Sequence, residues 1–486
     1  MSSSFYGLEI MKRALAAERL ALELTGHNVA NATTPGYSVQ RADLVDVAGV
    51  PVRPGVVGGG VDVAEITRQR DFYLDEQWRQ SNASQADWQV RQQVYQEMEV
   101  ALNEPGGQGL SAPLDAFWSA WNDLANHPSD GATRQAVLDA ANNLVQSLQQ
   151  TASRLADVGS GMVSAIQSRV EEANGLLGQL AQLVPQIRLL QARGLSPNDL
   201  LDQRDRLLDR LSQLTGATAS VQSNGDLTVE IGGVAVLATA GQATPQPAVL
   251  AFQVDPATQA AQLTATDASG TQTLNPDSGE IAGYLAMLTD TSQGLPALQG
   301  RLASFAYQLA TAVNNQHQQG FDASGNPGVA FFTLGAGTGT TFDLSSLSVN
   351  ITDPNAIAAS SSSWSGSPTA VDDGGNAASI AALASTQMGF SLPGGGTLDV
   401  TPDGFLGATV ATLGNQAQAA QQELQGAQAL VQQLDSQRQS VSGVSLDEEM
   451  VRMVQYQSAY AAAAKMVSSI DAMLGVLINE VGSAGH

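Results

Sequence analysis

The side chains that most often carry out catalysis or bind metals are scarce in this sequence and widely spaced. The chain contains no cysteine, so a thiolate nucleophile, a thiolate metal site and a disulfide framework are all excluded. Its four histidines, His27, His127, His317 and His486, lie far apart, and none belongs to an H-E-x-x-H or H-x-E pattern. The sequence therefore predicts no catalytic residue, no metal site and no cofactor.

One pair of carboxylates has a spacing that suits acid-base chemistry. Asp205 and Asp209 lie one helical turn apart, so they could share one helix face as an acid and a base. The same stretch carries Arg204, Arg206 and Arg210. Because alternating charges are typical of a solvated helix face, we expect an exposed, salt-bridged surface here instead of an active site.

Three other patterns imitate binding sites. The run Gly58-Gly59-Gly60 lacks the Gly-Lys-Ser/Thr that a phosphate-binding loop needs. The stretch 322–326 resembles the start of a calcium loop, but Thr333 stands where the loop requires glutamate, so we interpret it as a turn. The cluster Phe117, Trp118, Trp121 and Leu124 has helical spacing, which is typical of a core and not of a cofactor site.

The longest regular pattern lies near the C-terminal end and follows a 4-3 rhythm, which predicts one long helix with a coiled-coil seam. Its apolar positions are Leu446, Met450, Met453, Tyr460, Ala464, Val467, Leu474, Ile478 and Val481. Ser445 can cap this helix, and Glu448 completes a capping box. Asp447 and Glu449 add negative charge where the helix dipole is positive.

A second helix with apolar stripes is predicted at the N-terminal end. One stripe consists of Leu8, Met11, Leu15, Leu22 and Val29, and a second of Ile10, Ala14, Ala17, Ala21 and Leu24. A single partner helix covers only one stripe, so we infer that the second faces another subunit. The alternative is a two-helix hairpin packed on its own domain. We also predict that residues 1–65 and 440–486 are poorly ordered in the isolated subunit and become ordered on assembly.

Composition restricts the possible partners. The formal charge is -25 and the pI is 4.3, which argues against nucleic acid and anionic membranes because both attract basic patches. No run of apolar residues is long enough for a membrane span, and Glu9, Lys12 and Arg13 interrupt any secretory-signal pattern. The sequence thus predicts a cytoplasmic protein or one exported with an uncleaved N-terminus.

The changes of periodicity along the chain predict a multidomain α+β fold. Long terminal helices form a coiled-coil-like domain, a helical bundle forms the middle, and small β domains are inserted. The expected domains are residues 1–70 with 440–486 for assembly, and 71–215 with 281–320 and 376–439 for the helical part. Residues 216–280 are the inserted β domain, and 321–375 form an extension of strands and loops rich in Gly, Ser and Thr.

A turn follows the first predicted helix. Thr34-Pro35-Gly36-Tyr37 predicts a type II turn, because proline fixes φ at its second position and glycine accepts positive φ at its third. The whole segment from Ala30 to Tyr37 resembles the Ala-Asn-x-x-Thr-Pro-Gly-Tyr signature of the axial proteins of the bacterial flagellum, which form its rod, hook and hook-associated parts. Its position directly after a terminal helix makes the resemblance fairly specific.

Internal motifs narrow that resemblance to the hook-associated protein 1 branch of the family. They are Asp199-Leu200-Leu201-Asp202-Gln203-Arg204-Asp205, the segment 313–317 with 320–322 and 331–332, and the segments 443–450 and 456–460. The stretches 216–276 and 333–375 match nothing in the family. Motifs therefore occur at both ends of the chain and in two internal places.

The resemblance implies a structural protein, not an enzyme, that joins the hook to the filament of the flagellum and is exported unfolded to the extracellular side. It implies four kinds of partner: further copies of the chain in a ring, the hook protein, hook-associated protein 3 and a flagellar export chaperone. Alternatives are another axial protein of the hook or rod, or a secreted adhesin-like surface protein. The expected assembly interface is Leu8, Met11, Leu15, Leu22, Val29, Asn31, Thr34, Pro35, Gly36, Tyr37, Leu446, Met450, Met453, Tyr460, Val467, Leu474 and Ile478.

Overall fold

The computed structural model describes residues 2–52, 55–104, 109–222, 224–255, 260–363 and 372–483. Side chains at 2–4, 52, 477–478 and 480–483 lie outside this description. The first helix, α1, spans Ser2–Ala30, and the last, α10, spans Leu446–Ser483. They pack against each other in antiparallel orientation, since Gly7 lies against Ile470 and Asn28 bonds to Glu449.

The predicted capping residue of α10 is confirmed. The Glu448 backbone N–H donates to Ser445 Oγ at 3.4 Å, and the Glu449 N–H donates to the Ser445 carbonyl at 3.0 Å. Both bonds satisfy backbone donors that have no partner inside the first turn of a helix.

The valine-rich alternation and the glycine run between residues 39 and 66 predict one short β-hairpin, and the structure contains two nested hairpins there. Strand β1 (Gln40–Asp46) pairs antiparallel with β4 (Val61–Arg68), and the pairing shifts by one residue between Asp43 and Leu44. Strand β2 (Val50–Val52) pairs with β3 (Gly55–Val57) at the tip. The outer pair packs on α1, so this hairpin and α10 together surround the N-terminal helix.

The body of the molecule is helical. Its helices are α2 (Phe72–Leu102), α3 (Ser111–Asn126), α4 (Gly131–Gln191), α5 (Asn198–Thr215), α6 (Glu280–Thr289), α7 (Leu295–His317), α8 (Gly375–Ala381) and α9 (Pro402–Ser442). Helix α2 packs along α9, which returns the chain to the terminal helices. Phe117, Trp121 and Phe331 are fully buried between these helices, so the aromatic cluster is core, as predicted.

Helix ends differ from prediction at several points. The sequence of residues 112–155 predicts one helix with Ser111 as its cap, but the helix is broken at 127–130, where Asp130 caps α4 by accepting from the Ala132 N–H at 2.9 Å. Ser111 is the first helical residue of α3, and its N–H and hydroxyl donate to Glu104. The sequence of residues 377–388 also predicts a helix, but α8 ends at Ala381.

Residues 218–274 form two antiparallel sheets of three strands each. One contains β5 (Thr218–Val221), β6 (Leu227–Ile231) and β7 (Val234–Ala238), and the other contains β8 (Val249–Val254), β9 (Ala261–Asp267) and β10 (Gly270–Leu274). The sequence Asn224-Gly225-Asp226 predicts a hairpin turn, and the structure confirms it: Asn224 accepts from the Asp226 N–H at 3.0 Å, and Gly225 has φ of 82°. Alternating burial along β6 accounts for the period-2 pattern of the sequence.

Short strand pairs complete the fold. They are β11 (Phe332–Thr333) with β12 (Ser348–Val349), and β13 (Met388–Ser391) with β14 (Thr397–Val400). The multidomain α+β fold class is thereby confirmed, while the exact domain boundaries stay predictions. None of the described helices is both long and apolar enough to cross a membrane.

Candidate assembly site at the joined chain ends

The seam between α1 and α10 includes part of the predicted stripe of α10 and differs from it in the rest. Glu449 and Ala463 are buried, and Met453, Val467 and Leu474 are half-buried. In contrast, Leu446, Met450 and Tyr460 remain 50%, 62% and 40% exposed. Ile478 lies within the helix, but its side chain is outside the described part. A charged residue occupies the seam near the start of α10, which an apolar pattern does not reveal.

Both stripes of α1 are covered to some extent within the chain. The predicted assembly residues Leu8, Met11, Leu15, Leu22 and Val29 are half-buried. Ala17 and Ala21, from the small-residue stripe expected to face another subunit, are buried in the chain itself. The hairpin supplies that cover: Tyr6 donates to the Val57 carbonyl at 3.1 Å, and Ile10 lies against Gly60. The second stripe is thus an intramolecular contact, contrary to expectation.

The turn after α1 is organised by Asn31 and Gly36. The Asn31 side chain donates to the His27 carbonyl at 3.0 Å and accepts from the Thr34 hydroxyl at 3.2 Å. Gly36 has φ of 72°, and the Tyr37 N–H donates to the Thr34 carbonyl at 3.2 Å, as a type II turn requires. A Cβ on Gly36 would lie 2.5 Å from Arg206 Cγ, so this glycine is also needed for space. Pro35, the turn's second residue, is exposed.

Asn28 links the turn to both chain ends. Its side-chain oxygen accepts from the Tyr37 hydroxyl at 2.7 Å and from the Gln40 N–H at 3.0 Å. Its amide nitrogen donates to the Gln40 carbonyl at 3.0 Å and to Glu449 Oε2 at 2.9 Å. Since Asn28 is fully buried, these bonds satisfy every polar group that it brings into the interior.

Tyr37 is held in its protonated state. Burial, followed by the carboxylates of Asp199, Asp202 and Glu449, raises the pKa of Tyr37. The hydroxyl therefore keeps its proton for the bond to Asn28. His27 Nδ1 lies 2.9 Å from the same hydroxyl and is placed to donate to it.

Glu449 is fully buried and forms an ion pair with Arg41, whose Nη1 lies 2.5 Å from Glu449 Oε1. Its predicted role was to complement the dipole of α10. The structure shows that it also joins α10 to strand β1 through Arg41 and to α1 through Asn28. A buried carboxylate with one charged and one amide partner strongly restricts how these elements fit together.

A set of buried and half-buried polar and charged side chains ties this terminal region to the helical body; we call it the polar joint. It comprises Ser38, Arg68, Arg70, Asp75, Arg79, Asp202, Arg204, Asp205, Asp209 and Arg438. Asp202 on α5 accepts from the Ser38 N–H at 3.0 Å, the Ser38 hydroxyl at 2.8 Å and Arg68 at 2.7 Å. Ser38 precedes β1 and Arg68 ends β4, so one carboxylate holds both ends of the hairpin.

Asp205 lies deeper in the polar joint. Burial alone would raise its pKa, but the guanidinium groups of Arg204, Arg70, Arg68 and Arg79 outweigh burial and lower the pKa of Asp205 to about 2. Arg68 Nη1 lies 3.0 Å from it and Arg204 Nη2 lies 2.7 Å away. An acid held ionised in this way has no proton to donate near neutral pH.

Helices α2 and α9 close the other side of the polar joint. Arg438 contacts Asp75 at 2.8 Å and Asp209 at 3.0 Å, and its guanidinium carbon lies 4.2 Å from the centre of the Trp78 ring. Arg79 contacts Asp209 at 2.6 Å. Two backbone bonds reinforce the connection, since the Val39 N–H donates to the Ser442 carbonyl and the Gln69 N–H donates to the Val39 carbonyl, both at 2.9 Å.

The prediction for this α5 motif was half right. Its charges are paired, as expected, but Asp202, Arg204 and Asp205 are buried instead of exposed. The cause is the segment 38–70, which packs over the face of α5 that the pattern assigns to solvent. The carboxylates Asp205 and Asp209 thus serve as structural ion pairs, and neither is a free acid or base.

A cleft of 830 Å³ opens beside the polar joint. Its walls are the turn at 32–37, Arg206 and Arg210 on α5, and residues 439–445 between α9 and α10.

The described residues contain no group of three or more potential metal ligands. The 322–326 loop is a turn, as predicted, in which Asp322 accepts from the Ser324 and Asn326 backbone N–H groups at 2.8 Å.

The histidines are used for structure where they are described. His317 is fully buried: its Nδ1–H donates to the Val329 carbonyl at 2.6 Å and its Nε2 accepts from the Ala358 N–H at 2.9 Å. Burial lowers the pKa of His317 to about 4, so the ring stays neutral. His127 is exposed, and His486 lies outside the described residues.

Comparisons with known proteins agree with this arrangement. A family model described as the flagellar hook-associated protein FlgK helical domain matches residues 95–332, and one described as the flagellar basal body rod FlgEFG protein C-terminal matches residues 428–480. Flagellar hook-associated protein 1 of Bacillus subtilis is 29% identical, and the alignment covers 100% of both chains. The protein of the same name from Salmonella typhimurium is 26% identical over 96% of this chain and 98% of its own.

A solved structure shares the fold. The flagellar hook junction protein FlgK from Burkholderia pseudomallei aligns with a TM-score of 0.61 and 20% identity, covering 75% of this chain and 100% of that one. The fold and the joined chain ends, taken with these relatives, define a structural protein of the flagellar axis. Within that class, the chain is similar over nearly its full length to hook-associated protein 1 of two bacteria, at 26% and 29% identity.

Proposed function

We propose that this chain is a structural component of the bacterial flagellum that joins the hook to the filament through assembly of its paired terminal helices. The observation that carries the proposal is the exposed apolar surface of α10. Met450, Val454, Met466 and Met473 are each more than half exposed, although α10 is already packed on α1 along another face. Exposed apolar surface on a paired helix is typical of a face that a further protein covers.

The polar joint supports the same function. A subunit that joins the hook to the filament must transmit force between its terminal helices and its helical body. Asp202 and Arg438 connect the hairpin, α2, α5 and α9 through short buried contacts. Such contacts fix a single geometry more strictly than apolar packing alone, because each needs both partners in place.

The proposed partners are further copies of this chain in a ring, the hook protein and hook-associated protein 3, with a flagellar export chaperone before secretion. The proposed location is the extracellular hook-filament junction. The residues that the sequence assigns to assembly, including the turn at 31–37 and the exposed Leu446, Met450 and Tyr460, remain our candidates for these contacts. A catalytic role is not proposed, because the carboxylates of the polar joint are committed to arginine partners.

A pair of charge-matched variants tests this function. Val454→Asp with Met466→Asp places two charges on the exposed face of α10, whereas Leu189→Asp with Val249→Asp places two on the exposed surface of the body and β region. We expect the first variant to bind isolated hooks at least about tenfold more weakly and the second to bind normally. Circular dichroism verifies that both stay folded. Normal hook binding by the α10 variant would refute assembly through this face.

A further inference from the structure

The methionines of this chain are distributed unevenly between interior and surface. Among the described residues, Met98, Met162, Met287 and Met388 are buried in the body, and Met11 and Met453 are half-buried in the terminal helix pair. The remaining three, Met450, Met466 and Met473, are 62%, 53% and 61% exposed. All three lie on α10. The solvent-exposed thioethers of the described part are therefore confined to one helix.

Because of this distribution, α10 is more susceptible to oxidation than the helical body. A thioether is oxidised according to its exposure, and the chain has no cysteine to react first. Met466 and Met473 are seven residues apart, so they lie on the same side of α10, close to the exposed Val476. Met450 is one turn from the exposed Val454. Each exposed sulfur thus lies within an apolar surface.

We propose that Met450, Met466 and Met473 are oxidation-sensitive positions of α10 through which oxidation controls assembly, an inference that rests on the proposed function of α10. A hydroperoxide transfers one oxygen atom to each sulfur: the O–O bond breaks, an S–O bond forms, and the peroxide is reduced to water or an alcohol. The sulfur is oxidised by two electrons, and the side chain becomes a polar sulfoxide. A sulfoxide within an apolar contact opposes the packing of α10 against the hook.

Accessibility makes the reaction selective for the free subunit. The four body methionines, three in helices and Met388 in strand β13, reach the peroxide only when these elements open locally, whereas the α10 methionines are exposed in the folded chain. Once a neighbouring subunit covers α10, the same sulfurs are shielded. Oxidation would therefore remove unassembled subunits from the assembling pool and spare those already in place.

The first experiment ranks the oxidation rates. The folded, full-length chain is exposed to limiting hydrogen peroxide, and sulfoxide at each methionine is measured by peptide mass spectrometry over time. We expect the three α10 methionines to oxidise at least about tenfold faster than Met98, Met162, Met287 and Met388, which serve as internal controls. Equal rates in the two groups would overturn the assignment of the site, whatever the chain assembles with.

The second experiment tests the consequence. We expect peroxide-treated wild-type chain to retain less than about a tenth of its binding to isolated hooks, and a Met450→Leu, Met466→Leu, Met473→Leu variant to keep its binding after the same treatment. A Met98→Leu variant, changed at a buried site, should remain as sensitive as wild type. Undiminished binding by oxidised wild type would overturn the inference, whereas failure of untreated wild type to bind hooks would count against the proposed function.

Discussion

Asn28 and Glu449 lie 421 residues apart in the sequence, yet the Asn28 amide donates to the Glu449 carboxylate at 2.9 Å. Both side chains are fully buried. This one contact connects the first helix to the last, and Arg41 extends it to the hairpin. The terminal region is therefore held together by a specific polar contact as well as by apolar packing.

Replacing Glu449 with glutamine should loosen the chain ends without unfolding the body. Glutamine keeps the size and an acceptor for Asn28, but it removes the charge that Arg41 needs. We expect a loss of roughly 1–3 kcal/mol, confined to the terminal region, because a buried charged partner is lost. The hydrogen-exchange protection of residues 8–29 measures this loss of stability. Glu448→Gln changes an exposed neighbour and should exchange as wild type; equal protection in both variants would contradict the role of the ion pair.

Substitution of Gly36 should damage assembly more than the stability of the body. Alanine there must adopt positive φ, which costs roughly 1–2 kcal/mol, and its Cβ would meet the Arg206 side chain. Valine should be worse, because β-branching resists that conformation further. Binding to isolated hooks and thermal unfolding measure the two effects.

Gly26 provides the matched control for Gly36. It lies inside α1 with no atom within 4 Å of an added Cβ. Gly26→Ala should therefore stabilise the helix by roughly 0.5–1 kcal/mol. The double variant Gly36→Ala, Arg206→Ala should recover the stability that is lost through steric overlap with the Arg206 side chain. It should not recover the stability that is lost because alanine must adopt positive φ. Hook binding by Gly36→Val at the wild-type level would refute the turn's role.

Asp202→Asn should separate the hairpin from the body. Arg68 would lose a buried carboxylate, and the Ser38 N–H and hydroxyl would lose a charged acceptor. Breaking a buried pair on one side costs about 3–5 kcal/mol. Urea unfolding and hydrogen exchange of residues 38–70 measure this loss. Asp199→Asn, on the exposed side of the same helix, should cost less than about 1 kcal/mol; a similar cost for both would show that burial of the polar joint contributes nothing.

His317 should make stability depend on pH between about 6.5 and 4. Its pKa is lowered from 6.5 to about 4 in the folded chain, so below pH 6.5 the unfolded chain takes up a proton that the folded chain does not. Stability should therefore fall as the pH drops through this window, by roughly 3 kcal/mol in total, and then level off. Asp205, with its pKa lowered to about 2, changes the free energy of unfolding only below about pH 3.8. Its contribution is therefore separable.

Thermal unfolding across pH 7 to 4 checks this assignment. His317→Gln cannot titrate and should show a shallower fall in stability than wild type over the same window. His127→Gln, which changes an exposed histidine, should follow the wild-type curve. Parallel curves for wild type and His317→Gln would assign the pH dependence to other groups.

The helices could be predicted because their apolar periodicity is long and regular, as in α10. The seam of α10 could be predicted only in part: Met453, Val467 and Leu474 of the predicted stripe are half-buried there, but Glu449 occupies the seam in place of an apolar residue. The partner of Glu449, Arg41, lies at the other end of the chain. The burial of Asp202 could not be predicted from the sequence either. The local pattern of α5 is that of a solvated helix, and only the tertiary packing of residues 38–70 reverses it. Helix breaks were missed where the signal is a single cap, as at Asp130.

The pairing of α1 with α10 also determines when the terminal region can finish folding during synthesis. Glu449 follows Asn28 by 421 positions, and the whole intervening segment must be made before the N-terminal helix meets its partner. Until then, the hairpin alone covers α1, and Asn28 lacks one of its bonds. Contacts this distant in sequence form late, because a very long loop must close first. The N-terminal helix therefore completes its packing only after α10 has been synthesised.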